Sequence, residues 1–202
     1  MDSVLILDFG SQTTQLVGRR IRARGVYTEI LPGHIDFEEA DLKTTRGIIF
    51  SGSPESVYDN NSPKPDKRFF ETGLPILGIC YGLHLITEHF DGKVGAGESR
   101  EYGRAKMVFS GTTELLHGIP DGFLSWMSHG DRVVHEPPGF TIRARSKHGI
   151  PALLEEPDKN IYGLQFHPEV THCEYGSDLL ENFAIRICRA AGTWNMETFL
   201  EQ

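Results

Sequence analysis

Short apolar runs alternate with amphipathic stretches through the first half of the chain. Ser3–Leu7 is apolar almost throughout, as expected of a strand covered on both faces, and Val26–Leu31, Arg46–Phe50 and Leu74–Ile79 repeat the pattern. Between the first two, DFGSQTTQLVGRRIRARG predicts a turn and a helix, with Ser11 as its N-cap and Gly25 as its stop. After the fourth run, YGLHLITEHFDGK sets Leu83, Ile86 and Phe90 at helical spacing. Strand, crossover helix, parallel strand is the rhythm of an open α/β sheet.

The second half changes period. Lys106–Phe109, Arg132–His135, Thr141–Ser146, Ala152–Glu155 and Ile161–Phe166 are short alternating runs, several divided by turn chemistry at EPPGF and EPDKN. They predict an antiparallel layer added to the parallel core. SDLLENFAIRICRAAG then gives an amphipathic helix with Leu180, Phe183 and Ile187 on one side, stopping near Gly192. The fold class is α/β: an open, mostly parallel twisted sheet with flanking helices and an added antiparallel layer, in one domain over residues 1–192.

Cys80 lies where the fourth strand ends and a helix begins, between Gly78 and Gly82. Ligands of α/β sheets bind beyond the carboxyl ends of the strands. G-x-C-x-G is also the thiol counterpart of the nucleophile elbow, a sharp strand-to-helix turn that pushes the central side chain out. The helix N-terminus favours the thiolate and points backbone N–H groups at a developing oxyanion. A thiol nucleophile needs a base, and YGLQFHPEV supplies His167 at a strand end, with Glu169 two residues on to orient the imidazole. The same segment offers a metallic alternative in His167, Glu169, His172 and Cys173, but no spacing fits a structural zinc pattern, so no metal is expected. IIFSGSPES forms a second strand-to-turn junction, where Gly52 and Ser53 could present backbone N–H groups opposite that of Tyr81 as an oxyanion hole.

Composition narrows the field. A chain of 202 residues with 39% hydrophobic and 24% charged residues suits a globular domain with a real core. A formal charge of −8 argues against a surface built to neutralise phosphates, so nucleic acid is not an expected partner. No run reaches transmembrane length, the first residues do not resemble a secretory leader, and three cysteines without a CxxC pair suit a reducing compartment, which predicts a cytoplasmic protein.

LILDFGSQ, SGSPES, GICYG, SREYGRA, SWMSHGD and GLQFHPEV, in that order, resemble the class I (triad-type) glutamine amidotransferases with their flavodoxin-like fold, over nearly the whole chain. LDFGSQ and MSHGD narrow the resemblance to the GMP synthase branch of that family. It implies hydrolysis of L-glutamine to glutamate and ammonia, and transfer of the ammonia to an ATP-dependent synthetase (ATP-pyrophosphatase) domain that aminates xanthosine monophosphate. Carried over by position, Cys80 would be the nucleophile, His167 the base and then acid, and Glu169 the orienting carboxylate. The N–H groups of Ser53 and Tyr81 would hold the oxyanion, and Ser128, Gly130 and Asp131 would meet the amino and carboxylate end of glutamine. No cofactor is implied in this domain; ATP and Mg belong to the synthetase.

Two positions depart from the family pattern. Ser53 stands where a glycine is usual, which would be strained if that position needed φ > 0. His84 stands where the motif G-x-C-x-G-x-Q has its substrate-holding glutamine, and histidine cannot offer an amide's paired donor and acceptor. Weaker glutamine binding, or a pocket completed by a partner, is the expectation, and His84→Gln should lower the KM for glutamine.

Trp194, Met196 and Phe199 follow the last helix as a packed tail or as the start of a linker to a synthetase domain, over residues 193–202. The basic stretch Arg19–Arg24 is either a docking contact for that synthetase or a solvated helix end. Two other functions fit the Cys80 elbow: a thiol hydrolase of γ-glutamyl substrates, and a regulatory module with a decayed pocket.

Overall fold

Along β1 (Ser3–Asp8), Val4 and Ile6 face one side and Leu5 and Leu7 the other, and all four are buried. Both faces are therefore covered, as an apolar run without polar alternation requires. This is a computed structural model, in which residues 1–195 are described, with the backbone alone at residues 98–101. The other strands are β2 (Tyr27–Pro32), β3 (Thr45–Phe50), β4 (Ile76–Ile79), β5 (Lys93–Phe109), β6 (Leu124–His135), β7 (Thr141–Ser146), β8 (Pro151–Glu156) and β9 (Ile161–Leu164). The helices are α1 (Thr14–Arg22), α2 (Tyr81–His89) and α3 (Gly176–Glu181), the last running on as a wider π-type turn over Asn182–Ile187.

The sheet order is β2-β1-β3-β4-β9-β8-β7-β5-β6. The first five strands pair in parallel, and β9 is the seam at which pairing turns antiparallel. The expected antiparallel block is present but joins the core edge to edge, as a continuation of the same sheet, and the run Ile161–Phe166 assigned to it supplies β9, which pairs in parallel with β4 and antiparallel only with β8. Val17 and Ile21 of α1 and Leu179, Leu180 and Phe183 of the C-terminal helix cover the face of Val4 and Ile6. Tyr81, Leu85 and Ile86 of α2 cover the face of Leu5 and Leu7.

Three local expectations change. The α1 N-cap is Thr13, not Ser11; Ser11 Oγ accepts from Thr13 N at 3.2 Å and closes a turn before the helix. The run at Lys106–Phe109 is only the end of β5, whose Gly-rich and charged first part is held by its hairpin with β6. The basic stretch is also largely engaged within the domain. Arg20 Nε donates to Glu169 O at 2.6 Å, Arg22 Nη1 to Thr28 Oγ1 at 2.7 Å, and Arg24 pairs with Asp178 and Glu181 at 3.1 and 2.8 Å. These bonds tie three of its four arginines to the domain itself.

Gly25 has φ +81° and ends the turn after α1, as its place in the sequence predicts. Trp194 N donates to Gly25 O at 2.7 Å, and its ring meets Tyr27 at 6.4 Å between centroids. Met196 and Phe199, grouped with Trp194 in the sequence, lie outside the described residues.

Candidate active site

β4 ends at Ile79 and α2 begins at Tyr81, so Cys80 must make the whole turn, and it does so at φ 52°, ψ −100°. A side chain at such a φ is strained and is held there by its surroundings. Those surroundings are two glycines with no room for a Cβ. One built on Gly78 would lie 2.4 Å from the Gly82 carbonyl carbon, and one on Gly82 would lie 2.2 Å from Phe50 O. The G-x-C-x-G spacing is thus a packing requirement. Cys80 N is tied to Leu164 O of β9 at 2.6 Å, which fixes the elbow to the strand that leads to His167.

His167 stands beside the elbow, its Nδ1 bonded to Glu169 Oε1 at 2.8 Å. Glu169 is 2% exposed and lies behind the imidazole, and the same Oε1 accepts from Thr13 Oγ1 at 2.6 Å. Burial opposes a charge on His167, but hydrogen bonds with Cys80 and Glu169 outweigh it and push the imidazole up to about 10. At neutral pH the ring therefore holds a proton.

These groups open on a cavity of about 860 Å³ lined by Cys80, Tyr81, His84, Ser53, Ser128, Gly130, Asp131 and His167, among others. All ten residues singled out in the sequence converge here, with Gly52 and Glu169 just behind the wall. Gly52 forms the floor under His167, whose Cε1 lies 3.4 Å from where a Cβ would be. Ser53 is not among the positive-φ residues, so the side chain in place of the usual glycine brings no backbone strain. Its Oγ accepts from Glu55 N at 3.2 Å. Asp131 reaches the cavity with both carboxylate oxygens already bonded: Tyr58 OH donates to Oδ1 at 2.7 Å, and Ser56 Oγ to Oδ2. The rival metal set is dispersed, with His172 against Trp126 and the Cys173 thiol paired with Ser125 Oγ at 3.2 Å. Among the described residues, no group of three or more His, Cys, Asp or Glu is arranged to hold a metal ion.

Residues 5–187 match the family model for glutamine amidotransferase class-I. The chain belongs to this family. The amidotransferase is 49% identical over 99% of its length to the Bacillus subtilis GMP synthase (glutamine-hydrolyzing), and 50% identical over 99% to the Listeria innocua protein of the same name. It spans only 39% of the length of each of these relatives. Its structure also resembles a candidate GMP synthase subunit from Thermoplasma acidophilum, with TM-score 0.81 and 28% identity over 100% of this chain and 98% of that one. A glutamine amidotransferase from Thermotoga maritima shares the fold, with TM-score 0.78 and 18% identity over 94% of this chain and 99% of that one.

Two polar residues of the amidotransferase site were not picked out by sequence reasoning. Thr13 supports Glu169 from 156 positions away, its hydroxyl engaged there and not in capping α1. Gln165, fully buried, lies between His84 and Cys80. No local spacing marks either one; the only signal was a polar residue two positions before His167, just past the end of an apolar strand. No described helix is long and apolar enough to cross a membrane.

Proposed function

We propose that this amidotransferase is the glutaminase component of a GMP synthase, hydrolysing L-glutamine and passing the ammonia to an ATP-dependent synthetase that aminates xanthosine monophosphate. The observation that carries the reading is the strained Cys80 elbow beside a His167 that Glu169 orients at 2.8 Å, at the edge of a cavity large enough for an amino acid. With the thiol proton already resting on His167, the Cys80 thiolate attacks the side-chain carbonyl carbon of glutamine. Negative charge gathers on the carbonyl oxygen, where the N–H groups of Ser53 and Tyr81 receive it. The intermediate collapses to a thioester as the C–N bond breaks, and His167 returns the proton to the departing ammonia. Water then attacks the thioester with His167 as base, releasing glutamate and the thiol. Ser128, Gly130 and Asp131 take the α-amino and α-carboxylate end.

ATP and Mg belong to the synthetase, which shares a longer chain with this domain or binds it as a separate polypeptide. The relatives' greater length supports this division. Three unbridged thiols suit the cytoplasm as its compartment.

An electrophilic glutamine analogue, followed by mass-spectrometric mapping, tests the site. Labelling confined to Cys80 and blocked by glutamine is expected. An unlabelled Cys80 that iodoacetamide still alkylates would overturn the reading. Glutamate release should vanish in Cys80→Ser, and GMP should form from glutamine only when a synthetase, ATP, Mg and xanthosine monophosphate are supplied.

A further inference from the structure

His84 does not simply stand in for the glutamine usual at its position. Its ring is 3% exposed at the wall of the cavity, and its Nε2 lies 3.0 Å from Gln165 Oε1. Gln165 is fully buried, and its Nε2 lies 3.8 Å from the Cys80 sulfur. The amide thus has one polar end on the histidine and the other on the nucleophile.

We infer that His84 is a positioning residue for Cys80, acting through Gln165: its Nε2–H fixes the amide carbonyl, which turns the amide NH2 toward the sulfur. This rests on the reading of Cys80 as nucleophile.

The two ends of an amide are chemically opposite, and a buried amide bonds in one orientation or the other. With the NH2 toward sulfur, Gln165 donates to a thiolate, a far better acceptor than a thiol. With the carbonyl toward sulfur, it would repel the thiolate and favour the S–H form. A neutral imidazole carries one N–H, so the tautomer of His84 selects between the two. Burial holds His84 below the ordinary histidine range, keeping it neutral and limited to that single proton. The other charged or titratable groups around the relay are His167 on the far side of Cys80, with Glu169 behind it, and His129, Asp131 and Glu88 acting on His84. None of these supplies the contact that Gln165 makes between the two side chains.

The test is the pH dependence of Cys80 alkylation by iodoacetamide, followed by mass spectrometry on the 202-residue chain and its variants. Gln165→Met keeps the length of the side chain and removes the amide; His84→Phe keeps a ring and removes the N–H. Each should raise the alkylation midpoint by about one pH unit. The double variant should move it no further than Gln165→Met alone, because His84 acts only through the amide. His84→Gln, which restores a side-chain N–H, should bring the midpoint back toward that of the wild type. An unchanged midpoint in both single variants, or additive shifts in the double, overturns the relay. Should one variant melt below the assay temperature, the midpoint of the other decides. If glutamine hydrolysis is also absent from the wild type while the midpoints move as expected, the functional reading fails and the relay stands.

Discussion

Two strand ends meet at the cavity and are built on opposite principles. At the end of β4, Cys80 adopts a φ that few side chains accept, with glycines on either side whose missing Cβ atoms leave no space at all. At the end of β3, Gly52 and Ser53 turn without positive φ, and a Cβ on Gly52 would meet only ordinary contacts. The first junction is locked by packing and the second is loose. Glycine is therefore obligatory at one and optional at the other, although both read as a strand running into a turn in the sequence.

Gly82→Ala is the harshest way to break this contrast. Its methyl would lie 2.2 Å from Phe50 O, and backbone cannot move aside as a flexible side chain can. We expect a loss of about 3 kcal/mol or more, read as a fall in the urea midpoint. A midpoint within error of the wild type would show that the elbow is not locked.

Glu169→Gln asks what holds His167 between the two junctions. The folded imidazole lies near 10, above its unfolded value of about 6.5. Its contribution to stability is therefore fully present below about pH 6.5 and lost as the pH rises toward 10. The gap in stability between wild type and variant should be widest near pH 6 and close by about pH 10. Urea melts at three pH values check this, and a gap independent of pH would assign the placement of His167 to the Gly52 floor. Turnover should also fall by about two orders of magnitude, because the imidazole loses its orienting acceptor.

Gly52→Ala should change stability by no more than about 0.5 kcal/mol, while the contact with His167 lowers kcat for glutamine a few-fold. Thermal melts and glutaminase assays separate the two effects. Ser53→Gly should do least, a few tenths of a kcal/mol lost through a more flexible unfolded chain, since no strained φ is relieved. A clear gain in stability would show hidden strain at the loose junction after all.

The sequence made the parallel strands legible because burial on both faces leaves unbroken apolar runs, as at Ser3–Asp8 and Ile76–Ile79. The elbow was legible because its chemistry is local: a thiol framed by glycines between strand and helix. The support around it was not. Thr13 and Glu169, like Cys80 and Gln165, are neighbours only because distant segments pair, and neither contact leaves a periodic trace. The partners of Arg20 and Arg24 were hidden for the same reason, since Glu169, Asp178 and Glu181 come from the other end of the chain. The π-type turn at Asn182–Ile187 was hidden because Leu180, Phe183 and Ile187 fit ordinary helical spacing. At its start, Asn182 donates to Leu115 O and His117 O, at 3.1 and 2.8 Å.

The seam strand also governs when the site can exist during folding. β4 delivers the thiol and β9 the imidazole, and their parallel register begins with Ile76 against Ile161. Joining them closes a long loop through the entire antiparallel block, a contact of high sequence separation whose entropy cost must be met before any local reward. Neither hairpin nor helix alone can assemble the nucleophile with its base. Any reactivity of Cys80 that depends on His167 is consequently a signal of global folding, one that should appear in refolding experiments with the last rise of native structure.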